Sequence, residues 1–261
     1  MRRACFWRLF LRFFWRGRFF LESNMKIIIF LSLFSLAWTT EVHHDPMINE
    51  GMFEGDMLGV EVDEDRNAIP RDSQRWPGGV VPYFISPELS QLTSEIRRAM
   101  KHIEDNTCIR FVERTNQEDH IKIFRDSGCY SHWGRIGRQQ LLSLANGCEP
   151  FGTIVHELLH AIGFEHEHNR SDRDEYLIIN WQNIVDQWYY AFKKLAPQQN
   201  RLLSSFDFNS IMLYGSNSFV KKRGEYSMTD KSGRELVEVY NKKAMSASDV
   251  YRINKLYECR V

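Results

Sequence analysis

The stretch HELLHAIGFEH, residues 156–166, constrains the fold of this 261-residue chain more than any other segment. His156 and His160 are four residues apart, so on a helix their imidazoles project from one face toward one point. Gly163 tolerates a left-handed backbone conformation, which predicts that the helix ends there and that the chain turns back sharply. His166 then returns to the first two histidines. The stretch therefore predicts a helix and a turn that bring three imidazoles together.

Three neutral imidazoles directed at one point suit Zn²⁺. Glu157 follows the first histidine, where it lies near the metal but points away from ligation and can accept a proton from water. HExxH alone also fits a helix with two hydrogen-bonded histidines and a surface glutamate. The full pattern H-E-x-x-H-x-x-G-x-x-H is that of the metzincins, so we predict one zinc ion bound by His156, His160 and His166. His168 misses this spacing by two residues and is predicted to lie at the surface or beside a ligand.

A second segment, SIMLYG at residues 210–215, fits the same class of site. Metzincins carry a turn with a methionine, the Met-turn, and this segment supplies Met212, with Tyr214 two residues later. Methionine is also a common core filler. The Met-turn is the favoured interpretation because the segment accompanies the long histidine motif.

Charge is unevenly distributed, although the formal net charge is zero. Residues 1–24 carry six Arg and one acidic residue (+5), residues 25–66 carry two basic and nine acidic residues (−7), and residues 67–261 carry 26 basic and 24 acidic residues (+2). A nearly neutral main body gives no electrostatic argument for binding nucleic acid.

Residues 25–37 are predicted to be a secretory signal peptide, because one Lys precedes an apolar run and small residues, Ser35 and Ala37, fit the cleavage rule. The run is too short to span a bilayer comfortably, so we expect a secreted, extracellular protein without a stable membrane span. Residues 1–24 are interpreted as an upstream extension or non-native leader before a true start at Met25. A membrane-surface helix or an RNA-binding arm is the alternative.

Residues 38–66 form an acidic segment with few aromatic residues, which predicts a pro-segment with little structure of its own. Arg66 is a basic site that a trypsin-like protease could cut. The body would then begin at Asn67 and extend over residues 67–261 as the catalytic domain.

The cysteine count suits an exported protein. One cysteine lies in the leader, and the remaining four are an even number, which fits two disulfides: Cys108, Cys129, Cys148 and Cys259. Four cysteines allow three connectivities, and their spacing does not choose among them.

Strands are predicted mainly before the histidine helix. In the strand Val80–Ile85, Pro82 favours an edge position because it has no backbone N–H to donate. Further strands are expected at Ile109–Val112, His120–Phe124, Tyr130–Gly137 and Leu141–Leu144. With helices mainly after the histidine helix, this order indicates an α+β fold rather than alternating α/β.

Three further helices are predicted. Ser86-Pro87-Glu88 has the composition of a helix start, followed by apolar residues at helical spacing. The segment Trp181–Leu195 shows an amphipathic helical pattern. Ser246, with Asp249 three residues later as a cap partner, predicts the start of the last helix.

These segments together resemble the astacin family of zinc endopeptidases from about residue 52 to the chain's end. The resemblance rests on HELLHAIGFEHEHNRSDRD (156–174), SIMLY (210–214), RWPGGVVPY (75–83), GRIGRQQLLSL (134–144), MSASDVYRINKLYEC (245–259) and FEGD (53–56), the family's pro-segment motif. It implies a metzincin-like zincin fold with two subdomains on either side of an active-site cleft. The N-terminal subdomain would have a mixed sheet with long helices, and the C-terminal one would be mostly irregular and end in a helix.

The resemblance also implies roles for single residues. The three motif histidines would ligate zinc, Glu157 would be the general base, and Tyr214 would be a displaceable ligand that stabilises the oxyanion. Asp56 would occupy the zinc in the zymogen. After cleavage between Arg66 and Asn67, the new amino terminus would meet Glu167.

The implied disulfides are Cys108–Cys259 and Cys129–Cys148, and the segment Tyr130–Gly137 would be an edge strand that binds substrate by backbone pairing. One position departs from the family, which usually has His where this chain has Leu213. Because that histidine is not a zinc ligand, the departure affects the surroundings of Tyr214 rather than metal binding.

The expected partners are protein or peptide substrates and an activating trypsin-like protease, with the chain a monomer. A non-catalytic exported binding protein on the same scaffold is the alternative, but the loss of a ligand or of the base that would mark it is absent. Asn169 begins a glycosylation sequon, and we expect it to be unoccupied because it lies in the packed loop after the third ligand.

Overall fold

A computed structural model describes residues 45–60, 72–197 and 201–260. The predicted leader, the signal peptide and the Arg66–Asn67 cleavage site lie outside the described residues. The elements in chain order are β1 (Met57–Leu58), β2 (Val80–Ile85), α1 (Thr93–Asn106), β3 (Arg110–Glu113), β4 (His120–Phe124), β5 (Cys129–His132), β6 (Gln139–Leu144), α2 (Phe151–Ala161), β7 (Leu177–Ile179), β8 (Met228–Asp230) and α3 (Ala247–Leu256).

Six of the strands form a mixed sheet in the order β1-β5-β6-β4-β2-β3. β5 runs antiparallel to β6, and the other neighbours are parallel. In the described chain between α2 and α3, a two-stranded antiparallel sheet, β7-β8, is accompanied by short 3₁₀ turns. A mixed sheet with helices first, and a largely irregular second part closed by a helix, confirms the α+β prediction.

The sheet and the first two helices bury a common core. α1 directs Ile96, Ala99, Met100 and Ile103 inward, and the described residues of α2 are all buried. β4 contributes Ile121 and Ile123, which have no exposed surface. Because α2 is buried on every side, the polar side chains it carries are held away from solvent.

Pro82 does not lie on an edge strand, so that prediction was wrong. β2 lies between β3 and β4. Its pairing is staggered, since Val80–Tyr83 pair with β3 and Tyr83–Ile85 pair with β4. Pro82 therefore faces β4 before that ladder begins, and its missing N–H costs no hydrogen bond there.

The first long helix begins later than predicted. Residues Pro87–Leu89 form a 3₁₀ turn, and α1 starts at Thr93. Ser86 is still engaged with the sheet, because its backbone N–H donates to the carbonyl oxygen of Ile123 at 2.8 Å. Ser86, with an extended ψ of 144°, precedes the 3₁₀ turn as its cap residue, and the turn residues Ser90–Leu92 separate that turn from α1.

The amphipathic helix predicted for Trp181–Leu195 is absent from these described residues. Two 3₁₀ segments replace it, Trp181–Asn183 and Asp186–Phe192. Between them the chain is extended, because Ile184 bridges Val220 and the Val185 N–H donates to the Phe219 carbonyl oxygen at 3.0 Å. Pairing with a segment more than 30 residues away therefore overrides the local helical pattern.

Other boundaries agree more closely. β4 matches its prediction, β3 is shifted by one residue, β5 ends at His132 rather than Gly137, and β6 begins two residues early. The cap of α3 is confirmed. The Asp249 N–H donates to Ser246 Oγ at 2.9 Å, and the Ser246 N–H donates to Asp249 Oδ2 at 3.0 Å.

Both disulfides are those that the resemblance implied. Cys108–Cys259 ties the chain just before β3 to the segment after α3, and Cys129–Cys148 ties the start of β5 to the loop after β6. Among the described residues, no helix combines the length and hydrophobicity that crossing a bilayer requires.

Candidate metal centre

The helix α2 and the turn after it bring the three motif histidines together as predicted. His156 and His160 lie on one face of α2, with their Nε2 atoms 3.0 Å apart. Gly163 has a φ of +103°, and its N–H donates to the His160 carbonyl oxygen at 2.9 Å. The chain reverses there, and His166 Nε2 arrives 3.1 Å from that of His156 and 3.2 Å from that of His160.

Asp56 of the FEGD segment inserts its carboxylate among the three imidazoles. Its Oδ2 atom lies 3.1 Å from His156 Nε2 and 3.2 Å from His166 Nε2, and Oδ1 lies 3.4 Å from His160 Nε2. The Tyr214 hydroxyl donates to the same Oδ2. All these side chains are buried. The fold therefore brings Asp56 and Tyr214, which are 158 positions apart, into one site that is closed to solvent.

The donor atoms fit a zinc ion. The three Nε2 atoms and one Asp56 oxygen lie within 4.8 Å of one another. In tetrahedral coordination with bonds of about 2.0–2.1 Å, donors are about 3.4 Å apart, close to the 3.0–3.4 Å separations found here. The donor set, three imidazoles and a carboxylate, is also one that zinc accepts.

Second contacts orient each imidazole. His156 Nδ1 donates to the Ile211 carbonyl oxygen at 2.9 Å, and His160 Nδ1 donates to that of Phe164 at 2.7 Å. His166 Nδ1 donates to the Glu54 carboxylate at 2.7 Å. These acceptors place the ring proton on Nδ1 and leave each Nε2 lone pair free for a metal.

Glu54 was not recognised from the sequence as part of the site. It lies two residues before Asp56, is buried, and has a φ of 55°. Its position inside the FEGD motif was the available signal, but nothing in its spacing showed that it would face the outer nitrogen of His166.

The carboxylate of Glu157 is fully buried, and neither of its oxygens has a hydrogen-bond partner among the described residues. Burial, followed by the negative charge of Asp56, raises the pKa of Glu157 well above its usual range. A buried carboxylate without partners is costly, so its position beside the ligands needs a chemical reason.

The Met-turn, defined here as Ser210–Leu213, lies against α2, because the Ile211 carbonyl oxygen accepts from His156 Nδ1 at 2.9 Å. The Leu213 N–H donates to the Ser210 carbonyl oxygen at 3.1 Å, which closes the turn. Tyr214 follows, and its ring stacks on that of His156 with centroids 5.6 Å apart and planes inclined by 10°. Leu213 is buried.

His168 is not a surface residue, so that part of its prediction was wrong. It is fully buried, and its ring stacks on those of His166 at 5.0 Å and Tyr214 at 5.2 Å. The chain after the third ligand packs inward as a 3₁₀ turn, Glu167–Asn169. In that turn Asn169 is also buried, and its amide donates to the Ala191 carbonyl oxygen at 2.9 Å.

Glu167 lies beneath the ligands in a network of charges. Its carboxylate accepts from Arg170 Nη1 at 3.0 Å, from Arg252 Nη1, and from the Asp207 N–H at 3.0 Å. Burial raises the pKa of Glu167, although the charges of Arg252 and Arg170 oppose the rise. A small cavity adjoins this network, and Gly163, Glu167, Arg170 and Arg252 are among the residues that line it.

The described part of the acidic segment is ordered, although the sequence predicted little structure of its own. β1 pairs in parallel with β5, matching Met57 with Ser131 and Leu58 with His132. The Asn49 amide donates to the carbonyl oxygens of Gly55 at 2.9 Å and Cys129 at 2.8 Å. The order therefore comes from contacts with the body of the protein together with contacts inside the segment, such as the bridge between Phe53 and Met57.

Comparisons with known proteins agree with this geometry. The sequence model of the astacin peptidase family matches residues 68–258. Astacin-like metalloprotease toxin 1 of Loxosceles intermedia is 43% identical over 225 residues, covering 83% of this chain and 85% of the relative. High choriolytic enzyme 1 of Oryzias latipes is 45% identical over 183 residues, covering 69% and 67%.

A solved structure extends the likeness to the fold. The hatching enzyme zinc-protease HCE-1 of Oryzias latipes superposes with a TM-score of 0.65 at 43% identity, covering 71% of this chain and 94% of that one. The family match covers the histidine motif, the Met-turn and α3 together. The chain therefore belongs to the astacin family and is a zinc metalloendopeptidase.

Proposed function

We propose that this chain is a secreted endopeptidase made as a zymogen, which Asp56 restrains until the chain is cut between Arg66 and Asn67. The observation that carries the proposal is the Asp56 carboxylate, which lies 3.1–3.4 Å from all three ligand nitrogens. A carboxylate in that position excludes water and substrate from the same place.

His156, His160 and His166 would hold one zinc ion per chain. When bound, the metal supplies Lewis-acid chemistry, which polarises a carbonyl and lowers the pKa of water to about 7. Glu157 lies directly beside these ligands with both oxygens free. It would accept a proton from the attacking water and deliver it to the leaving amine.

Tyr214 would contribute through its hydroxyl. In the described state that hydroxyl donates to Asp56 Oδ2. Once Asp56 leaves, the donor becomes available to a developing oxyanion at the same place, and a pre-positioned donor of this kind stabilises the transition state.

Latency would have a second component at the substrate-binding edge. β5 has β6 on one side, and β1 of the acidic segment on the other. An extended substrate that adds to β5 by backbone pairing needs the edge that β1 covers. Removal of the segment would therefore open the substrate-binding edge and the metal site together.

Activation would deliver the new amino terminus at Asn67 to Glu167. Support comes from the buried carboxylate and the adjoining cavity. Because Glu167 already accepts from Arg170 and Arg252, an arriving ammonium group would have to share this carboxylate, and the network would rearrange around it.

The substrates would be proteins or peptides outside the cell, with a trypsin-like protease as activator and the chain acting as a monomer. The signal-peptide pattern and the two disulfides fit export. The relatives are named as a metalloprotease toxin and a choriolytic enzyme, which are extracellular roles.

Cleavage of a denatured protein by the Arg66-cut form, with and without a chelator, tests the activity. Glu157→Ala should abolish turnover while zinc stays bound, because the three ligands are intact. Activity that survives both metal removal and Glu157→Ala would refute the mechanism.

Uncut protein tests latency. Asp56→Ala should give activity without cleavage at Arg66, whereas Glu50→Ala, at an exposed acidic residue of the same segment, should stay silent. A folded Asp56→Ala protein without activity would contradict the role of this carboxylate.

A further inference from the structure

The four carbonyl groups of the Met-turn point to two different kinds of partner. The Ile211 carbonyl oxygen accepts from His156 Nδ1 at 2.9 Å, and that of Met212 accepts from the Glu167 N–H at 3.0 Å. The carbonyl oxygens of Ser210 and Leu213 instead accept from Lys242 Nζ, at 2.6 Å in the case of Ser210. Two carbonyls therefore hold the ligand segments while the other two are held by one ammonium group.

Lys242 is an unusual choice for this position. It is only 8% exposed, and burial lowers its pKa to about 8. In the part of the chain that the structure describes, Lys242 forms no ion pair with a carboxylate. A buried ammonium group without a carboxylate partner costs stability, and its hydrogen bonds to the two carbonyl oxygens offset part of that cost.

The backbone at Lys242 also contacts the ligand helix. A side chain at Gly152 of α2 would collide with the carbonyl oxygens of Val239 and Lys242, the latter at 2.7 Å. Gly152 is one helical turn before His156 on α2. The segment Val239–Lys242 thus lies between the helix that carries two ligands and the turn that orients one of them.

Asp249 binds donor groups of the same turn, whereas Lys242 binds its carbonyl oxygens. Asp249 accepts from the Ile211 N–H at 2.9 Å and from Ser210 Oγ at 2.6 Å. Asp249 secures the start of the turn, while Lys242 joins its start to its end, as does the Leu213 N–H that donates to the Ser210 carbonyl oxygen. The end matters because Leu213 directly precedes Tyr214.

We propose that Lys242 is a positioning residue that fixes the Met-turn against α2 and so sets the orientation of His156 and Tyr214. This inference rests on the proposed roles of those two residues in metal binding and in oxyanion stabilisation. Loss of the ammonium group would leave the Leu213 carbonyl oxygen without this donor and the Ser210 carbonyl oxygen with the Leu213 N–H alone. The turn would then hold the Ile211 carbonyl, the acceptor of His156 Nδ1, less firmly.

The test compares Lys242→Met with Lys243→Met, an exposed neighbour. Zinc affinity is measured on the full chain by chelator competition, and the absorption spectrum of the Co²⁺-substituted protein reports ligand geometry. Lys242→Met should weaken zinc binding about 10- to 100-fold, the usual effect of losing a contact that orients a ligand, and should change the Co²⁺ spectrum. Lys243→Met should match the wild type in both.

Kinetics on the cut protein give a further readout. Lys242→Met should lower kcat per bound zinc about tenfold at unchanged KM, the low end of the usual effect of losing an orienting contact, because the substrate-binding edge at β5 is not touched. If Lys242→Met does not fold, Lys242→Gln, which keeps one amide donor, is judged by the same criteria. Lys242→Arg, which keeps the cation and its donors, should restore part of the zinc affinity.

A folded Lys242→Met or Lys242→Gln protein with wild-type zinc affinity and an unchanged Co²⁺ spectrum would overturn the proposal. The metal measurements need neither cleavage nor turnover. A wild-type protein that binds zinc but cleaves nothing would therefore refute the proposed function and leave the comparison at Lys242 intact.

Discussion

Lys242 also gives a quantitative prediction about stability. Its pKa is lowered from an ordinary 10.5 to about 8, mainly by burial, while Asp249 and other nearby acids oppose the shift. Between these two values the unfolded chain holds a proton at Lys242 that the folded protein has released. The free energy of unfolding therefore rises with pH in this window, because stability increases wherever the unfolded state binds more protons.

The size of the rise follows from the shift. A difference of about 2.5 pKa units corresponds to a limit of about 3.4 kcal/mol. At pH 10 the unfolded lysine is still mostly protonated, so the gain between pH 7 and pH 10 is about 2.5 kcal/mol. In Lys242→Met this contribution is absent, and the stability of the wild type relative to that variant should grow by this amount.

Urea unfolding of the uncut, metal-free protein in chelator, at pH 7, 8, 9 and 10, measures the effect. Other titrating groups cancel in the difference between wild type and Lys242→Met, and Lys243→Met controls for the loss of one positive charge. A difference that stays constant within about 0.5 kcal/mol over this range would refute the reasoning, since it would mean that Lys242 keeps its proton when buried.

Three further outcomes are expected. Removing the Cys129–Cys148 disulfide, whose partners are 19 residues apart, should lower the free energy of unfolding by about 3.3 kcal/mol, and removing Cys108–Cys259, at a separation of 151, by about 5.1 kcal/mol; equal losses in urea unfolding would contradict the loop-length argument. Arg252→Met should destabilise by about 3–5 kcal/mol, because it removes an ion-pair partner of buried Asp249 and one of the two arginines that pair with Glu167; a melting temperature equal to that of the wild type would show that Asp249 pairs elsewhere. Gly55→Ala should raise the activity of uncut protein, because Gly55 has a φ of +99° and a Cβ there would lie 3.1 Å from the Phe219 ring. Gly51→Ala should not raise it, because Gly51 has a φ of +82° but open space around it. Equal activity of the two variants would mean that backbone strain alone loosens the segment.

The metal site was predictable from the sequence where its signal is local. The spacing of His156, His160 and His166, with Gly163 between, contains the helix period and the turn, and those two facts suffice to bring three rings together. The cap of α3 could also be predicted from the sequence, because Ser246 and Asp249 are only three residues apart.

The partners from distant parts of the chain were not predictable in this way. Asp56 lies a hundred residues before His156, and only the resemblance of FEGD to a known motif pointed to it. No local sequence pattern marks Glu54 or Lys242. Glu54 matters because the fold places it beside His166 Nδ1, and Lys242 matters because the fold places it beside two carbonyl oxygens of the Met-turn.

The errors have the same origin. The helical pattern of Trp181–Leu195 was real, but pairing of Val185 with Phe219 overrides it. His168 was assigned partly to the surface because its spacing excluded it from the ligands, whereas the chain after His166 turns into the core. In both cases a long-range contact decided the outcome, and such contacts are not encoded in residue spacing.

The shared use of Asp249 has a consequence for how the protein opens. One carboxylate caps α3 through the Ser246 N–H and also holds the Met-turn through the Ile211 N–H. The first turn of α3 can therefore not fray without releasing the Met-turn, whose Ile211 carbonyl oxygen orients His156. We expect amide hydrogens of α3 and of α2 to exchange in a single cooperative unit, so that the last helix of the chain behaves as part of the catalytic core and not as a removable end.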